Sequence, residues 1–186
     1  VSILLGAAAD GLEPDDYGAG GLEQALAEAE AEALDAAGQR ALEAALTRAM
    51  TRYLADLHGG RVDLRVIQPG QRFERDNGFA PAEVLQAALA AGRLPEAVRE
   101  AAPAQPDYPG LRRALGWYRE LAEDPLRGGL WQTPLAPLPG RKLEPGQAWA
   151  GVGDLARRLV ALGDLPATAR LASRYEGDVV VAVRAF

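Results

Sequence analysis

The stretch from Ala41 to His58 constrains this chain more than any other. Its apolar residues Leu42, Ala45, Leu46, Ala49, Met50, Tyr53, Leu54 and Leu57 recur in steps of three and one, which sets them on one stripe of a helix. Glu43, Thr47, Arg48, Thr51, Arg52 and Asp56 take the other side. At 1.5 Å per residue such a helix runs about 27 Å, the width of a small domain, so other elements must be arranged around it. Gly59 and Gly60 stop it, since glycine accepts the left-handed conformation that closes helices. The expected fold class is mainly α, a multi-helix bundle around the 41–58 helix with Pro/Gly-rich loops.

The rest of the chain supplies the elements to pack there. Val1 to Ala9 is apolar and alanine-rich and reads as a short helix closed by Asp10-Gly11. Gly21 to Ala36 reads as a second helix, with Leu22, Ala25, Leu26, Ala29, Ala33 and Leu34 inward and a glutamate-rich solvated face; Gly38 marks the expected break. From Leu64 to Phe79 the periodicity disappears, and Pro69-Gly70 and Asn77-Gly78 indicate a loop with a short extended piece at 64–67. Pro81 suits the first turn of a helix with Val84, Leu85, Ala88 and Leu89 inward and Gly92 as its stop. A short helix from Pro95 to Ala101 follows, then one from Asp107 to Ala122 with an apolar stripe at 108, 111, 115, 118 and 122. Gly128 to Gly146 cannot sustain a helix, and Trp131 is expected to anchor that connection in a core. Val152 to Leu162 and Asp178 to Phe186 read as two final helices sharing an apolar face.

Composition excludes several classes of function. A formal net charge of -6 argues against a general nucleic-acid surface, which needs clustered cations not offset by acids. No run of about 18 apolar residues exists to span a membrane. The absence of cysteine excludes disulfides, thiolate metal sites and a cysteine nucleophile within these 186 residues. Neither nucleotide-binding glycine motif nor a His/Asp cluster of metal-ligand spacing is present, so no cofactor is expected. A chain beginning at Val1 reads as a processed or cloned piece from which any signal segment would have been removed.

Several segments, taken in order, resemble one family. Tyr53, Asp56-Leu57 and Gly60-Arg61-Val62-Asp63 resemble the exit of the long helix in the scaffold domain of the large periplasmic L,D-transpeptidases, the YcbB-like branch, with Leu64 where members usually have proline. Gly11-Leu12-Glu13-Pro14-Asp15-Asp16-Tyr17 is similar to that family's "G-L-x-P-x-x-Y" connection, with Tyr17 a packing anchor. Pro103, Tyr108, Leu111-Arg112, Ala114-Leu115 and Tyr118-Arg119 follow its next spacing. Gly128-Gly129-Leu130-Trp131 and Pro139 to Gly146 resemble its "G-G-W … G-x2-L-x-P-G", with one additional leucine. Val152, Leu155, Arg158-Leu159, Gly163-Asp164-Leu165, Tyr175, Val179, Ala182-Val183 and Phe186 resemble the first half of a three-helix peptidoglycan-binding domain. Ala156 and Glu176 depart from that pattern. The resemblance implies a helical scaffold domain over 1–147 and a truncated peptidoglycan-binding domain over 148–186.

It also implies a periplasmic enzyme that makes 3-3 peptidoglycan crosslinks: a cysteine attacks a donor tetrapeptide stem, D-alanine leaves, and an acceptor amine takes the acyl group. That chemistry needs a thiolate, a histidine base and an oxyanion hole. The signature "S-x-G-C-x-R" is absent and His58 stands alone, so the expectation is a non-catalytic fragment. Its expected partners are the protein's own catalytic and peptidoglycan-binding domains, peptidoglycan, and other cell-wall synthesis proteins. His58 lies at a helix end, where imidazole meets free carbonyls. Asp63, Asp76, Glu144 and Asp164 lie in loops, and Asp15-Asp16 precede a helix; nothing in their spacing supports an acid pair such as glycan cleavage requires. Arg61, Arg112, Arg113, Arg157 and Arg158 carry guanidinium groups that pair bidentately with stem carboxylates, and Arg61, Arg157 and Arg158 are the candidate substrate-binding residues, while the expectation for most of the five is that they balance the acidic surface. Two other classes stay open: a helical interaction module unrelated to the wall, and a muramidase-like enzyme with paired carboxylates.

Overall fold

The computed structural model describes residues 1–62, 78–125, 127–169 and 173–186. The fold is mainly α, and no strand occurs among the described residues. In chain order the helices among the described residues are α1 (Ser2–Leu5), α2 (Ala19–Ala31), α3 (Ala36–Gly59), α4 (Pro81–Ala91), α5 (Leu94–Ala101), α6 (Tyr108–Glu123), α7 (Gly129–Gln132), α8 (Val152–Leu162) and α9 (Asp178–Ala185). Short 3₁₀ helices at Gly6–Asp10 and Pro14–Tyr17 join α1 to α2. The expected extended piece at 64–67, the rest of the expected loop up to residue 77, and the carboxylates Asp63 and Asp76 lie outside the described residues.

The chain divides into two compact units, Val1–Leu115 and Gly116–Phe186. The boundary read from the sequence, 147/148, falls inside the second unit. Helix α6 runs through the division.

In the first unit α3 is the centre, as its periodicity indicates. It begins earlier than the apolar stripe does, because Asp35 caps it: Asp35 Oδ1 accepts the Gly38 amide at 2.7 Å. That bond satisfies one of the amides a helix start leaves unpaired. The chain therefore breaks at Glu32–Asp35, and Gly38, expected at the break, sits in the first turn. Ala49, Met50, Tyr53, Leu54 and Leu57 are buried together with Leu4, Ala7, Leu12, Tyr17, Leu22, Leu85 and Ala101. Leu42, Ala45 and Leu46 are only partly buried, so the core covers the C-terminal half of the stripe. Each fully buried Leu or Met contributes about 1.5–3 kcal/mol.

Around it, α4 ends as expected at Gly92, whose φ of 64° permits the Schellman bonds from Arg93 N to Ala88 O at 2.9 Å and from Gly92 N to Leu89 O at 3.2 Å. Leu85 and Ala88 are buried, but Leu89 is 58% exposed. One face of α4 meets the core and Leu89 falls beside it, not within it. The stripe expected on α6 is likewise not an apolar face in the structure: Leu111 and Tyr118 are exposed, and Leu121, off that stripe, is the buried residue.

The second unit has its own small core, in which Ala156, Leu159, Leu165, Val179 and Ala182 join α8 to α9, with Leu155, Val160, Tyr175 and Val183 packed against them. Gly163 at φ 83° ends α8, and Asp164 N and Leu165 N both donate to Leu159 O, at 2.9 and 3.1 Å. An isolated bridge pairs Ala148 with Arg174, and Tyr175 N donates to Gln147 O at 2.9 Å. Trp149 is the anchor of this unit: it is buried, and its Nε1 donates to Pro137 O at 2.9 Å. Trp131, expected in that role, is 38% exposed, with the Arg158 guanidinium 5.5 Å from its ring centroid. Its ring takes a cation instead of a core. Gly128 is required where it stands, since a Cβ there would collide with the Ala122 carbonyl oxygen.

Candidate functional site

A cleft of about 860 Å³ opens in the first unit at the C-terminal end of α3, facing Pro81, the exit of α5 and Tyr108. Asp10, Asp56, His58 and Glu100 bring its polar character, and Leu12, Leu57, Phe79 and Pro103 its apolar walls. Two carboxylates organise the surroundings.

Asp10 is the inner one, with a side chain only 9% exposed. It ends the first 3₁₀ helix, and Gly11 turns the chain away at φ 76°. Its Oδ1 accepts the Tyr108 hydroxyl at 2.6 Å and lies 2.6 Å from Arg112 Nε. Its Oδ2 accepts the Tyr53 hydroxyl at 3.2 Å and Arg112 Nη2 at 3.5 Å. Three hydrogen bonds and the charge of the Arg112 guanidinium thus meet on one carboxylate. Asp56, one turn past Tyr53 on α3, accepts the Tyr17 hydroxyl at 3.0 Å and has Arg52 Nε at 3.8 Å. Tyr17 meets the Tyr53 ring edge-on, with centroids 5.5 Å apart, so the two nodes share an aromatic contact.

Electrostatics follow from burial. Burial pushes the Tyr53 hydroxyl up to about 12, with the Asp10 charge and its hydrogen bond adding to the shift. Tyr17 and Tyr108 are pushed well above the ordinary tyrosine range, again by burial first and then by their bonds to Asp56 and Asp10. At neutral pH all three are neutral donors, unsuited to act as phenolate nucleophiles. Asp10 accepts from Tyr53, Tyr108 and Arg112, and Asp56 accepts the Tyr17 hydroxyl on Oδ2. His58 stacks on Phe79 with centroids 4.0 Å apart, and its Nδ1–H donates to Ala101 O, the last residue of α5, at 3.2 Å. The expected meeting of imidazole with a helix-end carbonyl occurs, but on a neighbouring helix. Among the described residues no group of three His, Asp or Glu side chains is placed to hold a metal.

The residues singled out for stem carboxylates fall into separate settings. Arg61 pairs with Asp16 beside the Tyr17 node. Arg157 pairs with Asp154 within α8. Arg158 donates Nε to Leu130 O at 3.0 Å and Nη2 to Thr133 O, tying α7 and the following turn to α8. Glu144 pairs with Lys142, and Asp164 lies in the turn after α8.

Residues 1–115 match the family model of the Scaffold domain, a domain found in L,D-transpeptidase-like proteins. The chain belongs to the Scaffold domain family. No curated protein and no solved structure matches it. The matched span of the Scaffold domain coincides with the first compact unit. Within it, Tyr17, Tyr53, Tyr108 and Arg112, quoted above from three separate segments, converge on two carboxylates, Tyr17 on Asp56 and the other three on Asp10. Asp10 was missed, being read only as a helix stop. The usable signal is that three tyrosines and an arginine each need an acceptor, and an aspartate before a left-handed glycine is held in a fixed direction.

Proposed function

We propose that this chain is the non-catalytic scaffold portion of a YcbB-like, periplasmic L,D-transpeptidase that forms 3-3 peptidoglycan crosslinks. The observation that carries this reading is the Scaffold domain match over residues 1–115, coextensive with a compact unit whose polar side chains are engaged with one another. Its role is to hold the catalytic and wall-binding parts in a fixed relation. Residues 148–186, in which α8 and α9 share a core, are the beginning of the peptidoglycan-binding part in this proposal. With no cysteine among its 186 residues, the thiolate of transpeptidation comes from elsewhere in the protein. The partners are the protein's own catalytic and wall-binding domains, peptidoglycan, and other cell-wall synthesis proteins.

Tetrapeptide muropeptides incubated with the purified chain test the assignment. The expected result is no release of D-alanine and no glycan fragments. Either product, surviving repurification and lost on heat denaturation, would favour an enzyme and overturn the scaffold reading.

A further inference from the structure

The first two turns of α6, residues 108–115, contain no buried residue, and Leu111 is 65% exposed. Apolar burial, the usual means of holding a helix to its domain, is nearly missing here. What holds this segment is polar. Tyr108 and Arg112, one turn apart on the same face, both reach Asp10, and Arg112 Nε also lies 3.3 Å from the Ala9 carbonyl oxygen. On the other side of the carboxylate Tyr53 donates from the centre of α3. These contacts engage both oxygens of the Asp10 carboxylate, which borders the cleft.

We propose that Asp10 is a catch: one nearly buried carboxylate that fastens the start of α6 to the core of the first unit, and whose loss frees that start while the core stays folded. Charge-assisted bonds to a buried carboxylate are the strong kind, and they fail together when the shared acceptor changes. The groups facing Asp10 are Tyr53, Tyr108 and Arg112. The catch lies wholly within 1–115, and α6 carries the chain onward from it. A scaffold would thereby own a local release point at the helix leaving its folded unit. The inference does not depend on the cell-wall assignment.

Hydrogen exchange on the full chain tests it. Asp10→Asn keeps the shape of the side chain and removes the charge. The expected result is at least tenfold faster exchange at Leu111 to Leu115, with Ala49 to Leu57 of α3 changed less than twofold. Unchanged exchange at 111–115 would overturn the proposal, because something else then holds the helix. Equal acceleration in α3 and α6 would also overturn it, because Asp10 is then a general stability residue. If Asp10→Asn does not fold, Arg112→Gln, altering a guanidinium that is 45% exposed, is read by the same two criteria.

Discussion

Tyr53 shows how much one side chain decides in this molecule. It fills the centre of the core with its ring, is 1% exposed, and still satisfies its hydroxyl on Asp10. The folded hydroxyl keeps its proton to about 12, whereas an unfolded tyrosine loses it near 10. Between those values the native state binds more protons than the unfolded state, so stability falls as pH rises. Below about 10 the contribution is complete; it disappears as pH passes through the raised values. Tyr17 and Tyr108 are shifted in the same direction. Denaturant melts from pH 8 upward should show a steep loss beginning near 10. Tyr53→Phe should make that loss shallower, at the cost of leaving an Asp10 acceptor without its donor. Gly151 is decisive for a different reason: a Cβ there would enter the Trp149 ring. Gly151→Ala should cost about 1–3 kcal/mol, read as a lowered thermal midpoint of the second unit.

At the scale of the element, α3 divides into a C-terminal half that is buried in the core and an N-terminal half that packs against it only in part. Leu54 is fully buried, so Leu54→Ala should cost about 2–5 kcal/mol in a denaturant melt. Leu89→Ala on α4, at an exposed position, should fall within about 0.5 kcal/mol of wild type. Equal costs at the two sites would contradict the burial described. Asp35→Ala removes the α3 cap and should cost about 1 kcal/mol, a fall in melting temperature on the order of 4 °C for a domain of this size. These elements differ in how readable they were. The period of α3, the glycine stops of α4 and α8, and the proline starts of α4 and α5 are local signals that tertiary packing left in place. The stripe on α6 is equally periodic, yet Leu111 and Tyr118 on it are exposed. Periodicity states which residues share a face and not whether a partner covers that face.

For the whole molecule, the family match and the compact first unit end at the same residue. A fragment of residues 1–115 should therefore fold alone and melt cooperatively in circular dichroism. A fragment ending at 107 lacks Tyr108 and Arg112 and should melt at a lower temperature, because Asp10 loses the Tyr108 hydrogen bond and the Arg112 ion pair. Equal melting temperatures for the two fragments would mean that the Asp10 node adds nothing to the unit. No described helix is long and apolar enough to cross a membrane.

Residue order alone was enough for the mainly α class and for the central helix and most other helices, since each rests on spacing within a few turns of chain, and the resemblance added Tyr17 as a packing anchor, which is buried. It also brought out, as separate fragments, the tyrosines and the arginine that form the cluster. Only the tertiary structure decided which carboxylate receives them. Asp10 lies 43 residues from Tyr53 and 98 from Tyr108, and no local period couples positions so far apart. The same holds for the anchor of the second unit, which is Trp149, bonded to the Pro137 carbonyl, and not Trp131, whose ring lies against the Arg158 guanidinium. Hydrogen-bond acceptors are assigned by proximity in space, and proximity in space is what folding adds to sequence.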